Sequence, residues 1–261
     1  MRSRTPLVLL VPAVIGLTFL VLPLAGLIIR APWSSLWADL ETAEVGEALR
    51  LSLLCATLAT LICLVFGVPL AWMLARSTMP GRRIARALVT VPLVLPPVVG
   101  GVALLLVFGR RGLVGEYFDQ WFGLTLPFST AGVVVAEAFV AMPFLVIAVE
   151  GALRGADPRF EEAAATLGAS RWTAFRRVTL PTVAPGIAAG SVLCWARALG
   201  EFGATITFAG NYPGTTQTMP LAVYLALEKD PDSATVLSLV LLVVSVVILV
   251  SLREKWVGTR T

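Results

Sequence analysis

The feature that most constrains this chain is a set of long apolar runs without a single charged residue. Five runs of 19 to 25 residues have this character: 6–29, 51–75, 87–109, 178–196 and 233–252. An α-helix rises about 1.5 Å per residue, so each run is long enough to cross a hydrocarbon core about 30 Å thick. A sixth run, 126–149, is equally apolar but contains Glu137. We therefore predict an all-α integral membrane protein with six transmembrane helices.

The predicted spans form one transmembrane domain that occupies the whole chain, 1–261. The charge pattern gives these bounds: spans at 6–29, 51–75, 87–109, 126–149, 178–198 and 233–252, a cytoplasmic loop at 150–177 and an outer loop at 199–232. Glycine and proline are too dense in the outer loop for a spanning helix. We expect an external or re-entrant loop there with a short helix near 219–227, and a seventh span is the alternative.

The basic residues give the expected orientation. If the N-terminus is cytoplasmic, 14 of the 20 lysines and arginines fall in cytoplasmic segments and six fall in outer ones. Membrane proteins carry their excess of Lys and Arg on the cytoplasmic side. We therefore expect both termini to be cytoplasmic, which requires an even number of spans.

Composition excludes several enzyme classes. Charged residues make up 14% of the chain and the mean hydropathy is +0.88, whereas soluble domains carry roughly 25% charged residues. Histidine is absent, which removes Ser-His-Asp triads, HExxH zinc sites and His-ligated haem. The sequence also lacks the GxxxxGK(S/T) phosphate loop that would bind ATP. We expect no catalytic, cofactor-binding or metal-binding residues, and we interpret the three cysteines as small buried hydrophobes.

The cytoplasmic loop is predicted to contain a helix with an exposed apolar face. Asp157 and Pro158 are typical of a helix start, and Gly168 can end the helix in the left-handed conformation. Apolar residues between them recur at helical spacing on one face: Phe160, Ala163, Ala164 and Leu167. An apolar face in the cytoplasm needs a partner, either a protein groove or the membrane surface. Ser170 can cap a second helix directly afterwards.

The same loop carries fixed residues at a recognisable spacing. They are Glu162-Ala163-Ala164, then Gly168 after three residues, Val178 after nine more, and Leu180-Pro181 after one more. This spacing resembles the EAA loop of ATP-binding cassette (ABC) importer permeases, with valine in place of isoleucine. The resemblance implies the type I importer permease fold, in which this helix docks on a cytoplasmic ATPase. The implied ATPase-coupling residues are Phe160, Glu162, Ala163, Ala164, Leu167 and Gly168.

A second stretch narrows the family. Residues 198–211, which read ALGEFGATITFAGN, resemble the signature of molybdate permeases, with sulfate permeases close behind. The segments 92–101 and 219–225 also resemble molybdate permeases. The resemblance implies uptake of molybdate, or of a similar tetrahedral oxyanion, driven by ATP hydrolysis in a partner. A sulfate, thiosulfate or tungstate permease is the alternative within the family, and a secondary transporter is less favoured.

The resemblance also implies a location and a set of partners. The chain is expected in the inner (cytoplasmic) cell membrane, with a cytoplasmic ABC ATPase that uses ATP and Mg²⁺ and with an extracytoplasmic oxyanion-binding protein. A second copy of the chain is expected to complete the path. No nucleic-acid partner is expected, because membrane topology explains the basic residues. The chain is expected to be a transporter subunit and not an enzyme by itself.

Candidate residues of a translocation path lie in the third span. Pro96, Pro97 and Gly100 are expected to break this span, which is then either a bending, pore-lining helix or a passive kink. Glu137, in the fourth span, should face other helices or water, because lipid exposure of an acid is costly. We favour a paired or protonated acid between helices over a proton-transfer site.

Further path candidates follow the fifth span. Arg197 and Glu201 are one helical turn apart and can pair. Counted from Pro181, Arg197 lies about 24 Å along the span, near the outer boundary of the membrane. The pair either lines the outer gate of an anion path or pins the end of the span. The hydroxyl of Thr205 either contacts an oxyanion or a docking protein, or satisfies the turns of its own loop.

Overall fold

The computed structural model describes residues 7–34, 36–37, 43–77 and 79–257, and within these ranges the regular structure is entirely helical. The helices are α1 (Leu7–Ile29), α2 (Ala43–Arg76), α3 (Arg82–Val94), α4 (Pro97–Phe108), α5 (Gly115–Phe122), α6 (Thr130–Gly155), α7 (Arg159–Thr166), α8 (Arg171–Ala174), α9 (Leu180–Leu199), α10 (Gly203–Phe208), α11 (Met219–Lys229) and α12 (Pro231–Val257). A π-helical turn, Phe175–Thr179, joins α8 to α9. Among these elements α1, α2, α6, the continuous segment from α8 to α9, and α12 are long and apolar enough to cross a membrane.

The centre of the bundle is a tight packing of α2, α6 and α9. Small side chains allow the close approach: a Cβ atom on Gly190 would lie 3.0 Å from the Cβ of Ala148, and one on Gly67 would lie 3.2 Å from a methyl of Leu145. Glycine and alanine at these contacts let the helix backbones approach closely, as is common between transmembrane helices. These three helices therefore form the packed centre to which the loops at both ends are attached.

The predicted third span, 87–109, is not one helix. It consists of α3 and α4, whose axes differ in direction by 117°. Leu95 adopts an extended conformation with ψ 133° at the end of α3. Pro96 and Pro97 follow directly, and because neither has a backbone N–H, the helical hydrogen-bond ladder stops there. The expected break is therefore present, and it is much sharper than a kink.

The bent pair contacts α6 at two well-separated levels. Arg86 of α3 binds Glu150 near the inner end of α6, whereas Gly100 of α4 lies against Phe139 of the same helix. Glu150 and Phe139 are separated by about 16 Å along the helix axis. Counting α3 and α4 as one crossing gives six spans, and the described helices thus agree with the predicted number.

Two other helices extend beyond their apolar runs. α2 begins at Ala43, ahead of the run that starts at residue 51, and the fifth span continues back through the π turn to Arg171 instead of starting near 178. The cytoplasmic loop is correspondingly shorter than 150–177, because α6 continues to Gly155. A charge-free run indicates the part of a helix that lies in hydrocarbon, and the backbone ladder can continue past it into water.

The outer segment after α9 folds back into the protein. It forms the short helix α10, which the sequence analysis did not predict, and then α11, which matches the helix expected near 219–227. Residues 216–218 are buried, and the backbone N–H of Met219 donates to the Ser52 hydroxyl at 2.7 Å. The segment after α9 therefore packs against α2 and does not stand free of the bundle.

Candidate functional site

The loop helix α7 has the ends that its sequence predicts. Asp157 accepts a hydrogen bond from the backbone N–H of Arg159 at 2.9 Å, and α7 begins at that residue, one position later than expected. Gly168 follows the helix with φ +81°, a conformation that glycine adopts without strain and that other residue types adopt only rarely. Ser170 then accepts from the N–H of Thr173 and caps α8.

The apolar face of α7 is open. Phe160 is 61% exposed and Leu167 is 88% exposed, while Ala163 is exposed and Ala164 is half-buried. Exposed aromatic and aliphatic side chains on one short helix form a surface that a partner protein can cover. Glu162 is exposed as well. The structure thus brings together, on one helix and its end, all six of the residues expected to couple to an ATPase.

A buried ion pair lies at the end of α9. The Nη2 atom of Arg197 is 2.6 Å from Oε2 of Glu201, and the other carboxylate oxygen of Glu201 accepts from the N–H of Ala204 at 2.8 Å. Glu201 is 1% exposed and Arg197 keeps partial access to solvent. The pairing predicted from the spacing is therefore present, and it joins α9 to the first turn of α10.

Arg197 lies nearer the middle of the bundle than the count from Pro181 predicts. One turn before it, Cys194 is fully buried in the same core cluster as Cys63. Cys63 is the central residue of the charge-free run 51–75. Arg197 follows Cys194 by three residues, so it lies only about 4.5 Å further out along α9. The placement at the outer boundary was therefore wrong.

The position of Arg197 differs from the prediction because the count started at Pro181. Gly186 packs directly against Ala152, close to the inner end of α6 at Gly155. α9 and α6 run in opposite directions, so Pro181 lies beyond the end of α6 at Gly155. The first turns of the fifth span thus lie beyond the end of α6. Every later residue of this span, Arg197 included, therefore lies closer to the middle of the bundle than a count from Pro181 gives.

A second carboxyl group is buried beside the ion pair. Glu137 of α6 is 1% exposed, and its Oε2 atom has no hydrogen-bond partner among the described residues. Its neighbours Ala136 and Val140 pack in one apolar cluster with Ala204, whose N–H binds Glu201. Thr205 is fully buried on α10, and its hydroxyl oxygen also has no partner in the described parts of the chain. This region therefore combines two carboxyl groups, one guanidinium and an unpaired hydroxyl in apolar surroundings.

We expect Glu137→Gln to be as stable as the parent protein. One guanidinium compensates one negative charge, and a second ionised carboxylate in this interior would be strongly unfavourable, so an amide is a close substitute for a protonated Glu137. Glu201→Gln is the matched variant, and it should lower the free energy of unfolding by about 3 kcal/mol because it leaves Arg197 without its partner. Thermal unfolding of both variants in detergent measures the difference. Equal losses would contradict this account of Glu137.

The third-span candidates meet the same region from the other side. A Cβ on Gly203, the first residue of α10, would lie 2.8 Å from the Cβ of Pro97, and Gly101 of α4 similarly faces Thr207. α4 and α10 are thus in near-backbone contact through glycine. Gly100 is buried against Phe139, whereas Pro96 is exposed at the break.

Several ion pairs at the inner end were missed by the sequence analysis. Glu150 binds both Arg86 and Arg154, each at 2.7 Å, and Glu161 of α7 binds Arg76 at 3.2 Å. Arg86 and Arg76 are far from their partners in sequence, so no local spacing indicates these contacts. Only the Glu150–Arg154 pair, at i and i+4, has a spacing that predicts it.

The bundle of spanning helices, the broken third span and the open loop helix together define the class of protein, a multi-pass membrane subunit of a transport system. The chain belongs to the family described as "Binding-protein-dependent transport system inner membrane component", which matches residues 67–261. Members of this family are transport components and not enzymes, as the sequence analysis expected.

Individual relatives agree with this family. The chain is 48% identical to "Molybdenum transport system permease protein ModB" of Mycobacterium tuberculosis over 96% of this chain and 95% of the relative. It is 36% identical to "Sulfate transport system permease protein CysT" of Escherichia coli over 90% of this chain and 86% of the relative. The fold is similar to a chain of a bacterial ABC transporter involved in the import of the acidic polysaccharide alginate, with a TM-score of 0.78, 20% identity, and coverage of 97% and 95% of the two chains. The expected ABC importer permease fold is confirmed.

Proposed function

We propose that this chain is the membrane subunit of an ABC importer that takes up molybdate. The observation that carries the proposal is the 48% identity to a molybdenum permease over nearly the whole length of both chains. In this proposal a cytoplasmic ATPase hydrolyses ATP with Mg²⁺ and supplies the energy. An extracytoplasmic binding protein delivers the oxyanion, and a second copy of the chain completes the path about a two-fold axis.

The exposed apolar face of α7 supports the proposal that an ATPase docks on this helix. Phe160 and Leu167 offer the apolar contacts that usually anchor a protein interface, and Ala163 and Ala164 let a partner approach the helix closely. Gly168 turns the chain away immediately after the helix. We therefore assign docking to this helix, with Glu162 on its exposed surface.

The translocation path is proposed to pass the corner where α4, α10 and the end of α9 meet. The residues assigned to it are Pro96, Pro97, Gly100, Arg197, Glu201 and Thr205. The contact of Pro97 with Gly203 and the hydrogen bond from Ala204 to Glu201 support a shared corner. Because Glu201 already neutralises Arg197, we propose that the pair holds α9 against α10 at this corner and does not bind the dianion strongly.

The substrate can be tested directly. Proteoliposomes that contain the assembled transporter and its binding protein should accumulate radioactive molybdate when ATP is enclosed. Tungstate should compete, since both are tetrahedral dianions of similar size, whereas sulfate in large excess should leave most of the uptake. Efficient competition by sulfate would favour the sulfate permease alternative, and uptake without ATP would favour a secondary transporter.

The proposed orientation places both termini in the cytoplasm. Cysteine labelling can test it: a reagent that does not cross membranes should reach residue 214 only from outside and residue 81 only from inside. Both glycines have φ near +70° to +85°, so cysteine is better introduced at the exposed neighbours Thr215 and Arg83. The native cysteines are buried and provide little background. Labelling of Thr215→Cys from the cytoplasmic side alone would reverse the orientation.

A further inference from the structure

Two adjacent acids on α7 face in different directions. Glu162 is exposed, whereas Glu161 is turned towards the bundle and is half-buried. The Oε1 atom of Glu161 lies 3.2 Å from Nη2 of Arg76 and accepts a hydrogen bond from the hydroxyl of Thr179 at 3.0 Å. A single carboxylate oxygen therefore has two partners from outside its own helix.

These partners lie at the ends of two different spans. Arg76 is the last residue of α2, and its guanidinium also donates to the carbonyl of Ala156, just after α6, at 3.3 Å. Thr179 is 3% exposed and immediately precedes α9. Glu161 thus connects the proposed docking helix to α2 and α9 directly, and to the end of α6 through Arg76.

The contact with Thr179 falls on the π-helical turn. Such turns are rare, they interrupt the regular ladder, and they occur frequently at functional positions. Phe175 begins this turn and packs edge-on against Trp72 of α2, with ring centroids 6.3 Å apart. A displacement of α7 would therefore reach the fifth span at the point where its helical geometry is already irregular.

We propose that Glu161 is a positioning residue that transmits movement of the docked ATPase to the second and fifth spans. The inference rests on the proposed function, in which α7 docks on the ATPase. Glu161 itself does not need to touch the ATPase, because its carboxylate is occupied by Arg76 and Thr179. Loss of these contacts should leave the ATPase bound but make its ATP hydrolysis less effective in moving molybdate.

The pair is partly exposed, with side-chain exposure of 19% for Arg76 and 31% for Glu161. Water still reaches both side chains, so the partner left behind by a single substitution stays solvated and the loss of folding stability is smaller than for a fully buried pair. Glu161→Ala and Arg76→Ala should therefore insert and assemble. In proteoliposomes of the assembled transporter, each should raise the ATP hydrolysed per molybdate taken up by about fivefold or more. Arg83→Ala, an exposed arginine of the same inner surface, is the matched control and should keep the parent ratio.

Two further variants separate transmission from a general structural role. Thr179→Val removes only the hydroxyl and should raise the ratio. Thr182→Val removes a hydroxyl that bonds only one turn back along the same helical segment, to the carbonyl of Val178, and should not. The double variant Arg76→Glu with Glu161→Arg restores an ion pair of reversed polarity and should recover only part of the parent ratio, because the donation from residue 76 to the carbonyl of Ala156 stays lost.

The outcomes distinguish this inference from the proposed function. If the parent transporter binds its ATPase and imports molybdate, but Glu161→Ala and Thr179→Val keep the parent ratio, the transmission role of Glu161 is wrong and the proposed function stands. Loss of bound ATPase in Glu161→Ala would also overturn it, because Glu161 would then belong to the docking surface. If the parent chain binds no ATPase, the proposed function fails first.

Discussion

Ala164→Asp should strongly weaken binding of the ATPase subunit and abolish ATP-driven molybdate uptake. Ala164 lies on the apolar face of α7 between Phe160 and Leu167, where the small side chain allows a partner to come close. A carboxylate there would hold the partner away or be buried without a counter-charge. A loss of 2 kcal/mol, typical of a central interface residue, weakens binding by roughly 30-fold.

The measurement is copurification of the ATPase with the variant, followed by uptake in proteoliposomes. Ala165→Asp is the matched control, since it introduces the same charge one residue further on, away from the apolar face. Gly168→Asp should also lose uptake, but its positive φ means that the loop geometry changes as well. Normal ATPase binding and normal uptake in Ala164→Asp would show that residues 158–170 are not the docking helix.

Arg197→Ala should destabilise the membrane domain by about 3 kcal/mol or more, because it leaves the carboxylate of Glu201 buried and unpaired. This differs from a simple gate residue, whose removal would lower transport without affecting assembly. The unfolding temperature and the yield of monodisperse protein in detergent measure the effect. Arg154→Ala is the control, since its partner Glu150 still has Arg86.

The double variant Arg197→Ala with Glu201→Gln separates the two roles of the pair. It removes both charges and should recover most of the lost stability. We expect it also to recover a large part of molybdate uptake, because the pair mainly holds α9 against α10. A stable double variant with no uptake would instead assign the Arg197 guanidinium a direct part in anion passage.

Local sequence signals predicted the helices and the loop well. Charge-free runs located the spans because hydrocarbon excludes charge, and Asp157, Gly168 and Ser170 marked helix ends because their side chains or backbone freedom act within a few residues. Pro96 and Pro97 indicated a break, but the size of the bend depends on what packs around it. All of these signals depend on residues that are near one another in the sequence.

Long-range arrangements were not predictable in the same way. The Arg76–Glu161 and Arg86–Glu150 pairs join residues more than sixty positions apart, and their partners are chosen by how the spans pack. The depth of Arg197 was misjudged because the apolar run does not reveal where a helix leaves the bundle. The proximity of Glu137 to Glu201 depends on the same packing.

The break between α3 and α4 has a consequence for hydration. Because Pro96 and Pro97 have no N–H, the carbonyl groups of Pro92 and Leu93 lose the donors that an unbroken helix would provide. Leu93 and Pro96 are exposed at this break. A bare carbonyl in lipid would cost several kcal/mol, so we expect water to reach the break. An oxyanion on the proposed path would then meet solvent again before it reaches the cytoplasm.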